Sequence, residues 1–548
     1  MSHTLTRREL FQLRHRAPDG LARITDTGLA PYQGPWGGHE VRHLLRRTLF
    51  GVKREEVTAF EGLTPEQAVE TLLVTGAPPS PPVNNYHDAA VQDPAVPPGE
   101  TWVDAAFNAD VEYARYVSLK GWWIGLMTHQ AATIEEKMII FWHNQLATQA
   151  GGVFNARMWY RHLGILRTHC LGNFKTLVRE ITLDPLMLIY LNGAFSEKGA
   201  PDENYARELQ ELFCIGKGPG SQYTEDDVQA AARVLTGWRV DWDLMTSFFE
   251  PYFHDTEDKQ FSGFYNNTLI TGRTGPDGAQ ELDDLLDMIF ANPETALFLC
   301  RKLYRFFVYR TITEQAERDV IVPLAEIFRA NNYEIRPVLA ALLKSEHFYD
   351  LNHRNAMIKS PLDFVIGLSR EYALPFPDAT QLRDSYTLRM YFWYVLNVLQ
   401  QDPGDPPNVA GWPAWHQDPQ FDRFWITTAT LPKRAEFIEA MINYGYSTDT
   451  FRIIMDTIAH TAGFPAPEDP EALIDAALAH MTEVTPAPQV RQNLKRILLS
   501  NQLSDYYWTD AWLAYTFDPA NEMKRFTVES RLKAFYKSLI QLEENQLM

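Results

Sequence analysis

The chain of 548 residues carries only three cysteines, Cys170, Cys214 and Cys300, far apart and with no CxxC pair. Their scarcity excludes a disulfide framework and a thiolate zinc site. The apolar contexts HCLG, LFCIG and FLCRK read as three reduced core thiols. No run of eighteen apolar residues occurs, so no membrane span is expected. Basic residues are outnumbered, 50 Lys and Arg against 70 Asp and Glu, and the formal net charge is −20. Long-range repulsion of that sign opposes nonspecific binding to nucleic acid or to an anionic membrane. Nucleophile and nucleotide signatures are also missing, with no GxSxG elbow, no Walker-type phosphate loop and no GxGxxG after a strand. GKGPGS at Gly216–Ser221 follows a helix and reads as its C-terminal stop.

What the chain does have is the composition of a packed globular protein, 45% hydrophobic and 13% aromatic, with 22% charged residues. HEVRHLLRRTLF at 39–50 places Val41, Leu44, Leu45 and Leu49 at helical spacing. TPEQAVETLLV opens at Thr64 with Pro65 in the first turn, as helix starts prefer. Seven prolines between Thr75 and Thr101 exclude a helix or a central strand there and predict an extended loop over the surface. TIEEKMIIFWHNQLAT is apolar nearly all round after its first turn, so that helix is expected to be buried. Helical patterns then recur to the C-terminus, broken by a possible β-hairpin insertion between Trp238 and Gly272 and by a second proline cluster at 402–419.

The expected fold is therefore all-α, a packed multi-helix array with long proline-rich loops and at most a small β-hairpin insertion. Its expected organisation is an N-terminal extension at 1–38, a main helical domain at 39–434 with the proline-rich loop at 75–101, and a C-terminal helical subregion at 435–548 packed on it. Thr6-Arg7-Arg8-Glu9-Leu10-Phe11 has the look of a twin-arginine export signal, but charged residues follow it in place of an apolar segment. A cytoplasmic location is expected, with export by a degenerate signal as the alternative.

The segment Pro201–Trp238 carries the densest chemistry. At 100° per residue, Asn204, Glu208, Glu211 and Ile215 fall within about 60° of one another. Such a stripe can project into a cavity between helices, as bundle metal sites do. Equally, Glu208 and Glu211 can pair with Arg207 and other basic groups on a solvated face. His143 and Asn144 interrupt an apolar helix and need hydrogen-bond partners when buried, with Glu136 two turns earlier as a weaker partner for His143. His254, Asp255 and Lys259 lie in the irregular segment, where a loop can close over a helical site. Candidate catalytic residues are His143, Asn204, Arg207, Glu208 and Lys259. Candidate metal ligands are His143, Glu208, Glu211, His254 and Asp255, a nitrogen and oxygen set suited to iron, manganese or zinc. No HExxH or ExxH spacing occurs among them.

Read together, PDENYARELQELFCIG, FWHNQLAT at Phe141–Thr148, PPNVAGWP at Pro406–Pro413, HLLRRTLFG at His43–Gly51, FHDTEDKQFSG and IKSPLDFVIGL at Ile358–Leu368 resemble the bacterial family called domain of unknown function 1800. The resemblance runs from about His39 to Arg434. It implies a helical fold, an export signal in many members, and a protein partner encoded nearby that resembles sulfatases. Asp202, Gln145 and Ile215 stand where the family commonly has Asn, His and Thr.

Three functional readings follow. The first is an enzyme with a buried polar site between helices, acting on an unknown small-molecule or polymer substrate around a divalent metal. The second is a noncatalytic scaffold or partner-binding protein whose polar network fixes helix packing. The third is a metal-free carboxylate hydrolase in which a second carboxylate such as Asp255 completes the pair. Trp238, Trp242, Trp412 and Trp415 are candidate stacking surfaces for a sugar.

Overall fold

The structure, a computed structural model, describes residues 28–88, 90–378, 380–482 and 486–548. The arginine pair at positions 7 and 8 lies outside the described residues. Helices dominate, and among the described residues strands appear only as three two-stranded antiparallel hairpins. No described helix is long and apolar enough to cross a membrane.

The principal helices are α1 (Gly38–Thr48), α2 (Ala109–Thr128), α3 (Glu135–Gln145), α4 (Ala156–Thr168), α5 (Pro185–Tyr190), α6 (Glu203–Glu208), α7 (Glu225–Val234), α8 (Glu281–Ala291), α9 (Pro293–Phe307), α10 (Pro361–Glu371), α11 (Leu382–Val398), α12 (Thr430–Glu439) and α13 (Glu522–Ile540). The expected hairpin insertion is present as β1 (Trp238–Asp241) with β2 (Thr246–Phe249), followed by β3 (Lys259–Gln260) with β4 (Leu269–Ile270). A last pair, β5 (Tyr446–Ser447) and β6 (Arg452–Ile453), follows α12.

The apolar stripe of α1 is buried through Val41, Leu44 and Leu45. A close backbone approach follows just beyond the end of α1. Gly51 has φ +74°, and a Cβ placed on it would stand 2.4 Å from the Cα of Gly367 in α10. Only paired glycines admit that contact. As its composition predicts, α3 is buried on every side, from Met138 to Gln145. The proline-rich loop is a packed surface strap. Asn84 donates to the Val96 carbonyl (2.8 Å), and Asp93 Oδ2 accepts from buried Arg115 of α2 (2.8 Å) and from the Tyr86 hydroxyl (2.9 Å).

One hydrophobic cluster runs from Tyr32 to Ile540 and includes residues of α13, and helix α12 crosses the expected boundary at 434/435. A second, small cluster of Ile358, Trp412, Ala414 and Trp425 sits beneath the second proline-rich segment. That segment, 402–419, is the loop against which α3 presents its polar end.

Candidate functional site

The acid helix does not keep a single helical period. Asp202 caps α6 by accepting from the Asn204 N–H (2.8 Å), and the backbone then widens into a π-helix over Leu209–Cys214. Polar groups from outside hold the widened turn. Gln145 Nε2 donates to the Leu212 (2.7 Å) and Phe213 (3.1 Å) carbonyls, and the Tyr265 hydroxyl donates to Gln210 Oε1 (2.7 Å). Such π-turns recur at functional sites. The constant 100° step therefore fails after Glu208, and the four-residue stripe is broken up. Asn204 is exposed, Arg207 pairs outward with Glu203 (3.0 Å) and Glu225 (2.6 Å), and Glu211 pairs with Lys217.

Glu208 behaves differently from its neighbours. Its Oε2 is buried and has no hydrogen-bond partner. Burial, reinforced by the charge of Glu211 and opposed by Lys217 and Arg207, raises its pKa above the ordinary glutamate value. The Tyr190 phenol, at the end of α5, lies within electrostatic reach of both Glu208 and Asp405.

Asp405 is the counterpart that sequence reasoning missed. Burial alone would raise its pKa, but Lys120, the Tyr116 hydroxyl and the Gly151 N–H outweigh burial and lower it. Lys120 Nζ stands 2.8 Å from Asp405 and 2.6 Å from Asp402, and the Gly151 N–H donates to Asp405 Oδ1 at 2.7 Å. The one available signal was a buried lysine in the midst of the aromatic helix α2, which demands a carboxylate. Beside this pair lies an aromatic shelf. The rings of Tyr113 (63% exposed) and Phe154 (41% exposed) stack with centroids 6.5 Å apart, and both adjoin Tyr116.

His143 lies under the same loop. Its Nε2 accepts from the Gly404 N–H (3.2 Å), so the neutral ring carries its proton on Nδ1, and Nδ1 is buried without a partner. Burial, with His162 beside it, pushes its pKa down to about 3. His162 Nδ1 in turn donates to Asp184 Oδ2 at 2.8 Å. Asn144 Oδ1 accepts from the Trp412 N–H (2.8 Å). Glu136, expected near His143, is taken instead by Arg167 (2.6 Å) and the Trp123 indole (3.2 Å).

The loop candidates form a separate knot. Buried Glu281, at the start of α8, accepts from His254 Nε2 (3.1 Å), Lys259 Nζ (2.6 Å) and the Arg273 N–H (2.6 Å). Asp255 is held by Arg233 (2.7 Å). His254 and Lys259 are thus spent on fixing the hairpin segment to α8 and Asp255 on fixing it to α7, and they do not join His143 or Glu208. The expected metal set of His143, Glu208, Glu211, His254 and Asp255 is not assembled. Among the described residues, no group of three His, Cys, Asp or Glu side chains is gathered so as to hold a metal ion. Of the candidate stacking residues, Trp412 and Trp238 are core and Trp242 is exposed.

The family model described as a protein of unknown function (DUF1800) matches residues 43–521 of the chain. The chain belongs to that family, as its motifs led one to expect. No curated protein matches it, and no solved structure does.

Proposed function

We propose that this member of the family is a metal-independent acid–base hydrolase, working around Tyr190, which feels the charges of both Glu208 and Asp405. Glu208 is the proton donor, Asp405 the standing carboxylate, and Tyr190 the hydroxyl within electrostatic reach of both. The observation that carries this reading is the unpartnered, buried Glu208 oxygen with a raised pKa, set against an Asp405 held ionised by Lys120. Two carboxyl groups whose surroundings push their pKa values apart divide naturally into acid and base. The third expectation from sequence is thereby retained with Asp405 in place of Asp255, which Arg233 occupies. The exposed Tyr113–Phe154 shelf supports a flat, sugar-like substrate, since aromatic faces stack on apolar ring faces.

The test is hydrolysis of aryl glycosides and soluble polysaccharides by wild type, Glu208→Gln and Asp405→Asn. A lost proton donor lowers kcat by about 100-fold or more, with KM held and the alkaline limb of the pH profile abolished. Phe154→Ala raises KM instead. Equal rates in wild type and Glu208→Gln would remove Glu208 from the reaction.

The scaffold reading retains one supporting observation, the closed network of His254, Lys259 and Glu281. We assign that network to packing and the Glu208 region to chemistry.

A further inference from the structure

On the other side of α3 from His143 lies a crevice between the polar end of α3, the C-terminal half of α9 and the loop from Pro413 to Trp425. It holds about 380 Å³ of free space counting its solvent-open mouth, and its enclosed depth is about that of one water molecule. Three cations line it, Lys302, Arg305 and Arg310, in a chain whose net charge is −20. The single carboxylate among the lining residues, Asp422, is already committed. It accepts from Arg310 Nη2 (2.8 Å) and from the Ile358 N–H (2.7 Å).

Among the described residues neither Lys302 nor Arg305 forms an ion pair, and the carboxylates that act on Arg305, Asp418 and Glu317, do so without a salt-bridge contact, Glu317 being paired with Arg301. Arg305 lies over the Phe421 ring at 4.8 Å, and its Nε is buried with no acceptor. Lys302 lies 5.3 Å from the centroid of the Phe298 ring. Burial, reinforced by Arg305, brings the Lys302 pKa down to about 8. His416 is close enough for the Lys302 charge to depress its pKa, after burial, and its Nε2 is a further buried atom without a partner. Asn144 adds a neutral donor. Its oxygen accepts from the Trp412 N–H, which fixes the amide orientation and leaves Nδ2 uncommitted at the crevice.

Two half-buried cations that repel one another and make no ion pair are unfavourable side by side, and an unsatisfied buried donor calls for a partner. The available donors all point to an acceptor-only guest, and a guanidinium with an ammonium beside it matches an oxyanion. We propose that this crevice is a binding site for a tetrahedral oxyanion, phosphate or sulfate, free or as the terminal group of a larger molecule. One oxygen enters the throat between Lys302, Arg305 and Asn144, and the remainder occupies the mouth beside Trp415. The site is independent of Glu208, and neither proposal depends on the other.

The test is calorimetry and thermal unfolding of the full chain with sodium phosphate, sodium sulfate and glycerol phosphate, against sodium chloride at equal ionic strength. A saturable rise in Tm and a measurable Kd are expected for at least one oxyanion, since a ligand that binds only the folded state stabilises it. Equal binding of glycerol phosphate identifies a terminal group as the guest, and its exclusion identifies the free ion. Lys302→Met and Arg305→Met are each expected to weaken binding tenfold or more. Both variants remove a half-buried cation that makes no ion pair, so their melting in chloride should stay close to that of wild type. Lys302→Arg restores binding. Stabilisation no greater than in chloride, or an unchanged Kd in both methionine variants, would overturn the proposal.

Discussion

Removing the Glu281 carboxylate is the most severe single perturbation the hairpin region offers. Glu281 is fully buried, as is Lys259, and it is the shared acceptor for His254, Lys259 and the Arg273 N–H. Glu281→Ala leaves Lys259 with the Asp255 carbonyl as its remaining partner and frees the buried His254 Nε2 and the half-buried Arg273 N–H. Breaking one side of a buried ion pair costs about 3–5 kcal/mol, because the surviving charge stays uncompensated. The pH dependence has a definite sign. Burial would raise the Glu281 pKa, but hydrogen bonds from His254, Lys259 and Arg273 outweigh burial and lower it. Its contribution to stability is therefore full above the unfolded glutamate value of 4.5 and is lost as pH falls through the lowered folded value. Urea unfolding followed by tryptophan fluorescence, at pH 7 and again on acidification, measures both effects. Adding Lys259→Met to Glu281→Leu should recover much of the loss, since the stranded charge is then gone. A cost below about 1 kcal/mol for Glu281→Ala at pH 7 would refute the reasoning, on the scale of a surface pair.

Other outcomes follow from the same kind of argument. Gly404 has φ +99°, and a Cβ there would stand 2.2 Å from the Trp159 ring, so Gly404→Ala should destabilise by about 2 kcal/mol or more in thermal unfolding. Gln145→Ala removes the donor to the Leu212 and Phe213 carbonyls and should cost about 1–3 kcal/mol. Lys120→Met strands Asp402 and Asp405. It should lower the unfolding midpoint at neutral pH and recover part of the loss under acid, where the carboxylates protonate.

The helical architecture was legible because its signals are local. The apolar spacing in 39–50, the all-round apolar α3 and the proline breaks each act within one or two turns. The Pro201–Trp238 segment shows where that reading fails. Its first turn obeys the expected period, but Gln145 and Tyr265, distant in sequence, pull Leu209–Cys214 into a π-helix and turn Glu211 toward Lys217. His254 and Lys259 met Glu281 rather than Glu208, a pairing set by how the hairpin segment folds onto α8. Tyr190 comes within electrostatic reach of both Glu208 and Asp405, which lie on separate elements, and no spacing in the chain announces that.

Burial keeps Glu208 a carboxylic acid beyond the ordinary glutamate range. Infrared difference spectra of wild type against Glu208→Gln, recorded across a pH titration, isolate its protonated carbonyl band directly. This band should persist above pH 4.5 and persist further in Lys217→Met, where an opposing charge has been removed. A band that disappears at or below pH 4.5, unmoved by Lys217→Met, would contradict it.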